Sequence, residues 1–198
     1  MIIFDQLKDK TTALHQEAEK YNDASKVLDH SISKEDYKQL LITNYSSYKG
    51  LEEYLVKHKL LLSEELQQFA SYKNSDRLEE DLKYFDVNVE TIERPIFDFQ
   101  NPSKSSLIGV LYVMEGSMMG GMMISKNLLK CDSLTELPTQ CFFNRDVQDI
   151  LKYWNDFKNA VAINTYTSDE IDEAIAGANK AFAYFKEVHL FYHVSEKK

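Results

Sequence analysis

The sequence predicts an all-α protein, one helical domain of six to eight helices over residues 1–198, and three observations carry that prediction. Only three prolines and six glycines occur in 198 residues, so long stretches run without a helix breaker. Apolar residues recur at spacings of three and four, the period of a helix with one buried face. Several segments open on a Ser, Thr or Asp followed three residues later by an acidic side chain, the pattern of a capped N-terminus.

Phe4, Leu7, Thr11, Leu14, Ala18 and Tyr21 share helical spacing and predict a first helix from about Ile3 to Tyr21. Asp29–Ser33 reads as a connection. Ser33 is a candidate N-cap, and Glu35 and Asp36 place negative charge in the following first turn, where the macrodipole favours it. That helix should run to about Lys57, with Tyr37, Leu40, Leu41, Tyr45, Tyr48, Leu51 and Leu55 turned inward. Ser63 opens a shorter helix, and Asp76–Glu79 resembles the start of another. Pro95 and Pro102 mark the break at Glu93–Lys104. A long helix follows from about Ser105 to Leu129, then a loop over Asp132–Asn144, then helices from about Arg145 to Ile163 and Thr167 to Val194. Thr167–Glu170 is a further capping box, ahead of a stripe that includes Ile171, Ile175, Ala178, Phe182 and Phe185.

Composition excludes several function classes. The 32 acidic residues outnumber the 23 Lys and Arg, for a formal net charge of −9. The three arginines, Arg77, Arg94 and Arg145, are scattered and no basic run occurs, so neither nucleic acid nor an anionic membrane is expected as a partner. No segment reads as apolar for the roughly 20 residues that a bilayer span needs. Asp5 follows too soon for the first residues to form a secretory leader. Cys131 and Cys141, ten apart, fit no metal or disulfide spacing and read as two reduced, buried thiols of a cytoplasmic protein.

The chemistry concentrates in one segment. Four of the six glycines fall between Gly109 and Gly121, and five of the six methionines between Met114 and Met123. A glycine inside a helix costs about 1 kcal/mol relative to alanine, so Gly116, Gly120 and Gly121 together cost about 3 kcal/mol. Gly116 and Gly120 lie four apart and bare one helix face. Such a face serves either close packing of another helix or the approach of something flat, and methionines suit both.

His15 lies four residues before Glu19, so the two share a face, and a metal-bound histidine commonly hands its second ring nitrogen to a carboxylate. The spacing is common on amphipathic helices, and most such histidines are satisfied surface or boundary residues. His189 and His193 form another such pair, read as charges complementing the end of the last helix. His30 belongs to a loop and His58 to a helix end. No Glu-x-x-His occurs, which argues against a ferritin-like di-iron site.

Together, Leu7-Lys8, the run from Thr11 through His15 to Glu19, and Val110–Ile124 resemble the heme oxygenase family. The first resembles that family's proximal helix. Tyr112-Val113-Met114-Glu115-Gly116-Ser117 with Gly120-Gly121 resembles the distal helix of its soluble bacterial branch, and Ala178–Phe182 is similar to the C-terminal region. The resemblance implies heme as both cofactor and substrate, with His15 as axial iron ligand and Glu19 as that histidine's partner. It implies that Gly116, Ser117, Gly120 and Gly121 cover the opposite face and crowd oxygen toward a ring edge. It further implies oxidative cleavage to biliverdin, carbon monoxide and iron, with O2 and electrons from a reductase or ferredoxin.

Lys8, two turns before His15, and Lys158 are then the candidates to meet the propionates, and Tyr112, Met119 and Phe182 the candidate pocket walls. Met118 departs from the family, which commonly places a polar or basic residue there, and implies a thinner polar network beside Ser117. Two other functions compete. One is a heme carrier or sensor that binds without cleaving. The other is a thiaminase-like enzyme on the same scaffold, with Cys131 or Cys141 as nucleophile.

Overall fold

A computed structural model describes residues 2–21 and 24–195. The described elements are helical: α1 (Ile2–Glu19), α2 (Ala24–Leu28), α3 (Lys34–Lys57), α4 (Glu64–Gln67), α5 (Lys73–Lys83), α6 (Lys104–Leu128), α7 (Val147–Ala162) and α8 (Ser168–Ser195). Short 3-10 turns at Lys59–Leu61, Val89–Thr91 and Asp132–Leu134 join them.

Local capping sets the starts of α3, α6, α7 and α8. The Ser33 hydroxyl accepts the Asp36 N–H while the Asp36 carboxylate takes the Ser33 N–H, and Ser103 and Ser106 form the same reciprocal pair before α6. Asp146 accepts the N–H groups of Gln148 and Asp149 at α7, and the Thr167–Glu170 box closes as expected. Two expectations change. Helix α5 begins at Lys73 rather than Asp76, because its first N–H groups, of Asn74 and Ser75, point at the buried Glu52 carboxylate of α3 (2.9 and 3.1 Å). The first helix stops at Glu19, and α2 fills part of the following stretch with Val27 fully buried.

Helix α6 is the centre of the fold, packed most extensively on α8 and also on α7, α2 and α3, while α1 lies along α8. The α6–α8 crossing is backbone to backbone. A Cβ on Gly109 would stand 1.9 Å from the Ala174 carbonyl oxygen, and one on Gly177 would stand 2.1 Å from that of Ser106. The membrane expectation needs correction, since α6 is long and apolar enough to span a bilayer by length and composition, with a mean hydropathy of 1.5. Half of that window is buried in the fold, and the apolarity of Leu107, Ile108, Val110, Leu111 and Val113 is that of a central core helix.

Candidate functional site

The first half of α6 is sealed and the second half is open. Residues Ser105 to Glu115 are buried except for the partly exposed Tyr112, whereas exposure recurs from Gly116 onward and reaches 62% at Met123. The glycines divide at the same point. Gly109 and Gly177 are small because backbone presses on them, and Gly50 because the Tyr184 hydroxyl does. A Cβ on Gly116 would make only ordinary contact with the Trp154 ring, at 3.8 Å, and one on Gly120 or Gly121 would meet nothing within 4 Å. Helix packing therefore explains Gly109 and leaves Gly120 and Gly121 unexplained.

His15 projects from α1 with its side chain 53% exposed, and its Nε2 lies 3.3 Å from the Glu19 carboxylate. Its ring lies 5.0 Å from that of Phe182 on α8, inclined by 33°, so α8 supports the imidazole from one side. Tyr112 joins α1 to α6: its ring packs on Phe4, and its hydroxyl engages that of Thr11, one turn before His15. Trp154 of α7 completes this aromatic group beside Phe4, Tyr112 and Gly116, and the Lys158 Nζ stands 5.7 Å from the Trp154 ring. His15–Glu19–Phe182 and Gly116–Tyr112–Lys158 thus form two clusters linked through Thr11 and Tyr112. Lys8 is exposed on α1 and Met119 half-buried on α6, and no described contact joins either to these clusters.

Three features escaped the sequence reading. The Tyr48 hydroxyl of α3 lies 2.7 Å from Ser117 Oγ and 3.5 Å from Met118 Sδ, while Ser117 itself donates to the Met114 carbonyl at 2.7 Å. The polar network beside Ser117 is thus supplied by a tyrosine that at helical spacing resembles any other core residue. Burial pushes the Tyr48 hydroxyl well above the ordinary phenol range, so it is a firmly protonated donor. The second feature is Trp154. The third is a buried ion pair next to the glycines, with the Glu115 carboxylate 2.8 and 3.0 Å from Lys73 Nζ, which also sits 3.5 Å over the Tyr153 ring. Burial pushes the Glu115 carboxyl up and the Lys73 ammonium down, and their mutual attraction opposes both shifts.

The remaining candidates resolve differently. His193 bonds the Tyr21 carbonyl through Nε2 at 3.0 Å, and His189 is buried rather than presented at a helix end. Cys131 is buried as expected, but Cys141 is exposed, although the buried Asp81 carboxylate accepts its backbone N–H and that of Phe142. Burial and then neighbouring carboxylates raise both thiols, Asp132 and Asp29 at Cys131 and Asp81 at Cys141. Each is held as an unreactive thiol, which disfavours the cysteine-nucleophile reading. Cys131 lines a cavity of about 360 Å³ with Tyr37, Gln140 and Phe143, away from His15.

Among the described residues no three His, Cys, Asp or Glu side chains converge as a metal-ligand set. A single exposed histidine beside an aromatic ring, in a fold that bares one helix at Gly120 and Gly121, suits an iron that brings most of its ligands with it, as heme iron does. Comparison with known proteins agrees. The family model for heme oxygenase matches residues 2–190, and the chain belongs to the heme oxygenase family. Its fold is similar to the heme oxygenase of Neisseria meningitidis (TM-score 0.70, 24% identity, covering 94% of this chain and 89% of that one). It is also similar to that of Leptospira interrogans (0.71, 18%, 96% and 98%) and to heme oxygenase-1 of the cyanobacterium Synechocystis, solved with heme (0.72, 18%, 98% and 94%). No curated protein sequence matches the chain.

Proposed function

We propose that the protein binds heme between His15 and the Gly116–Gly121 face and cleaves it to biliverdin, carbon monoxide and iron. The observation that carries this reading is the open space at Gly120 and Gly121, small residues with no packing partner to require them. Bound heme supplies the iron that activates oxygen and is itself the substrate.

The chain's residues then have distinct tasks. One nitrogen of His15 engages Glu19 and leaves the other for iron, with Phe182 bracing the ring. Gly120 and Gly121 admit a flat ligand against backbone, and Tyr112 and Met119 bound the space. Ser117 is positioned to turn its hydroxyl from the Met114 carbonyl toward the ligand, while Tyr48 donates to Ser117 Oγ and holds a proton there. Lys158, beside Trp154, and Lys8 on α1 are the cations for the propionates. Oxygen and electrons from a reductase or ferredoxin complete the reaction, and the free thiols at Cys131 and Cys141 suit the reducing cytoplasm.

The test is a single turnover. Hemin is added to the purified protein, then ascorbate or a reductase in air, and the absorption spectrum is followed. A Soret band that needs His15 and decays to a biliverdin band is expected. A stable band that never decays makes the protein a heme carrier or sensor, and no band at all refutes the site.

A further inference from the structure

Beyond Met119 as a pocket wall, the heme-cleaving role gives the methionine cluster of α6 no task that requires sulfur. Met119 follows Gly116 by three residues and Met123 follows Gly120 by three, so each thioether adjoins a bare glycine across the helix surface. On the other side of the same face, Met114 and Met118 precede Ser117 and Gly121 by three. Burial separates the two pairs. Met114 and Met118 are 0% and 4% exposed, and Met118 Sδ is held by the Tyr48 hydroxyl, whereas Met119 is half-buried and Met123 is 62% exposed. One pair is thus shut into the core and the other rims the open half of α6.

We propose that Met119 and Met123 are oxidation sites that intercept peroxide formed at the heme face. This rests on heme binding at that face. An enzyme that reduces oxygen there releases hydrogen peroxide whenever O2 takes two electrons from the donor and two protons without attacking the ring. The thioether sulfur then attacks one peroxide oxygen, the O–O bond breaks and an S–O bond forms. Sulfur loses two electrons, the second oxygen leaves as water once protonated, and methionine becomes methionine sulfoxide. That product is polar and, unlike a cleaved peptide or a sulfonated cysteine, chemically reversible. A leucine would fill the same volume without this chemistry, which gives a physical reason for a thioether at Met123, where exposure leaves little to gain in packing, and at Met119 beside it.

The experiment is peptide mass spectrometry of α6 after turnover. Heme-loaded protein is run with ascorbate in air, in parallel with heme-free protein under the same conditions, and sulfoxide is quantified at each α6 methionine. The expected result is sulfoxide at Met119 and Met123 several-fold above both the heme-free protein and the internal controls Met114 and Met118. A Soret band with equal oxidation in the two samples, or with oxidation spread evenly over the five methionines of α6, overturns this inference and leaves the heme reading standing. Failure to form the Soret band overturns both.

Discussion

Gly109 of α6 faces the carbonyl of Ala174 on α8 so closely that a single added carbon would lie 1.9 Å from that oxygen. Alanine at 109 or at 177 therefore forces the two helices apart, a backbone rearrangement that costs about 1–3 kcal/mol or more. Gly120→Ala meets open space and gains up to about 1 kcal/mol of helix propensity. Urea midpoints should fall for Gly109→Ala and Gly177→Ala and hold or rise for Gly120→Ala, while heme cleavage slows in Gly120→Ala alone among well-folded variants. Equal stability losses at 109 and 120 would contradict this division.

His15 is half-exposed and its loss opens no core cavity, so His15→Ala should change unfolding free energy by no more than about 0.5 kcal/mol. Its effect should appear in the spectrum, as loss of the Soret band of the heme complex. A band of unchanged position and intensity in this variant assigns the ligand elsewhere.

Ser117 and Tyr48 can be separated by a double-mutant cycle. Ser117→Ala leaves the buried Tyr48 hydroxyl with only the weak acceptor Met118 Sδ, at a cost of about 1–3 kcal/mol. Tyr48→Phe removes the donor and leaves Ser117 its bond to Met114, so it should cost less. Denaturation of the four proteins gives the coupling, and a value near zero would mean that the two hydroxyls do not cooperate.

Removing one partner of the Glu115–Lys73 pair strands a charge, since the side chains are only 2% and 18% exposed. Glu115→Ala should destabilise the fold by about 3–5 kcal/mol, and adding Lys73→Met should recover most of that loss. If the double variant is no more stable than the single one, the cost lies in packing rather than charge.

Acid sensitivity has one clear contributor. The Lys26 ammonium, at 2.7 Å, and then Ser33 hold the Asp36 carboxyl down to about 2, from an ordinary 3.8. Between those values the unfolded chain binds a proton there that the folded chain does not, so this contribution is complete above pH 3.8 and lost as pH falls through about 2. Asp36→Asn should flatten the fall of urea midpoint across that window, and an unchanged slope would assign the acid limb to other carboxylates.

These contrasts also mark what the sequence could disclose. Helices α3 and α8 start at their expected positions because their caps lie three residues from what they cap, and α6 and α7 start within a few residues of theirs because a proline-bearing break precedes each. Helix α5 starts three residues before its local pattern predicts because Glu52, 22 residues upstream, satisfies its first turn, and no local pattern reports such a cap. The same distinction applies to the site. His15 with Glu19, and Gly116 with Gly120, are legible from spacing on one helix. Tyr48 lies 69 residues from Ser117 and Trp154 belongs to a different helix from Gly116, so only folding reveals those contacts. Spacing also could not sort the glycines, since Gly109 and Gly120 differ in what stands opposite them, not in their neighbours along the chain.

Helix α6 is clamped at its root by the Gly109–Gly177 crossing and held again near its far end, where Asn127 meets His30 and Leu128 packs on the core, so Gly120 and Gly121 lie in a span between two supports. A load applied at Gly120 and Gly121 falls on that open span, between the two points at which the helix is fixed. Changes at Gly120 and Gly121 can therefore alter how a ligand is tilted without disturbing either support. The fold gains a deformable wall from a single continuous helix, with no separate lid.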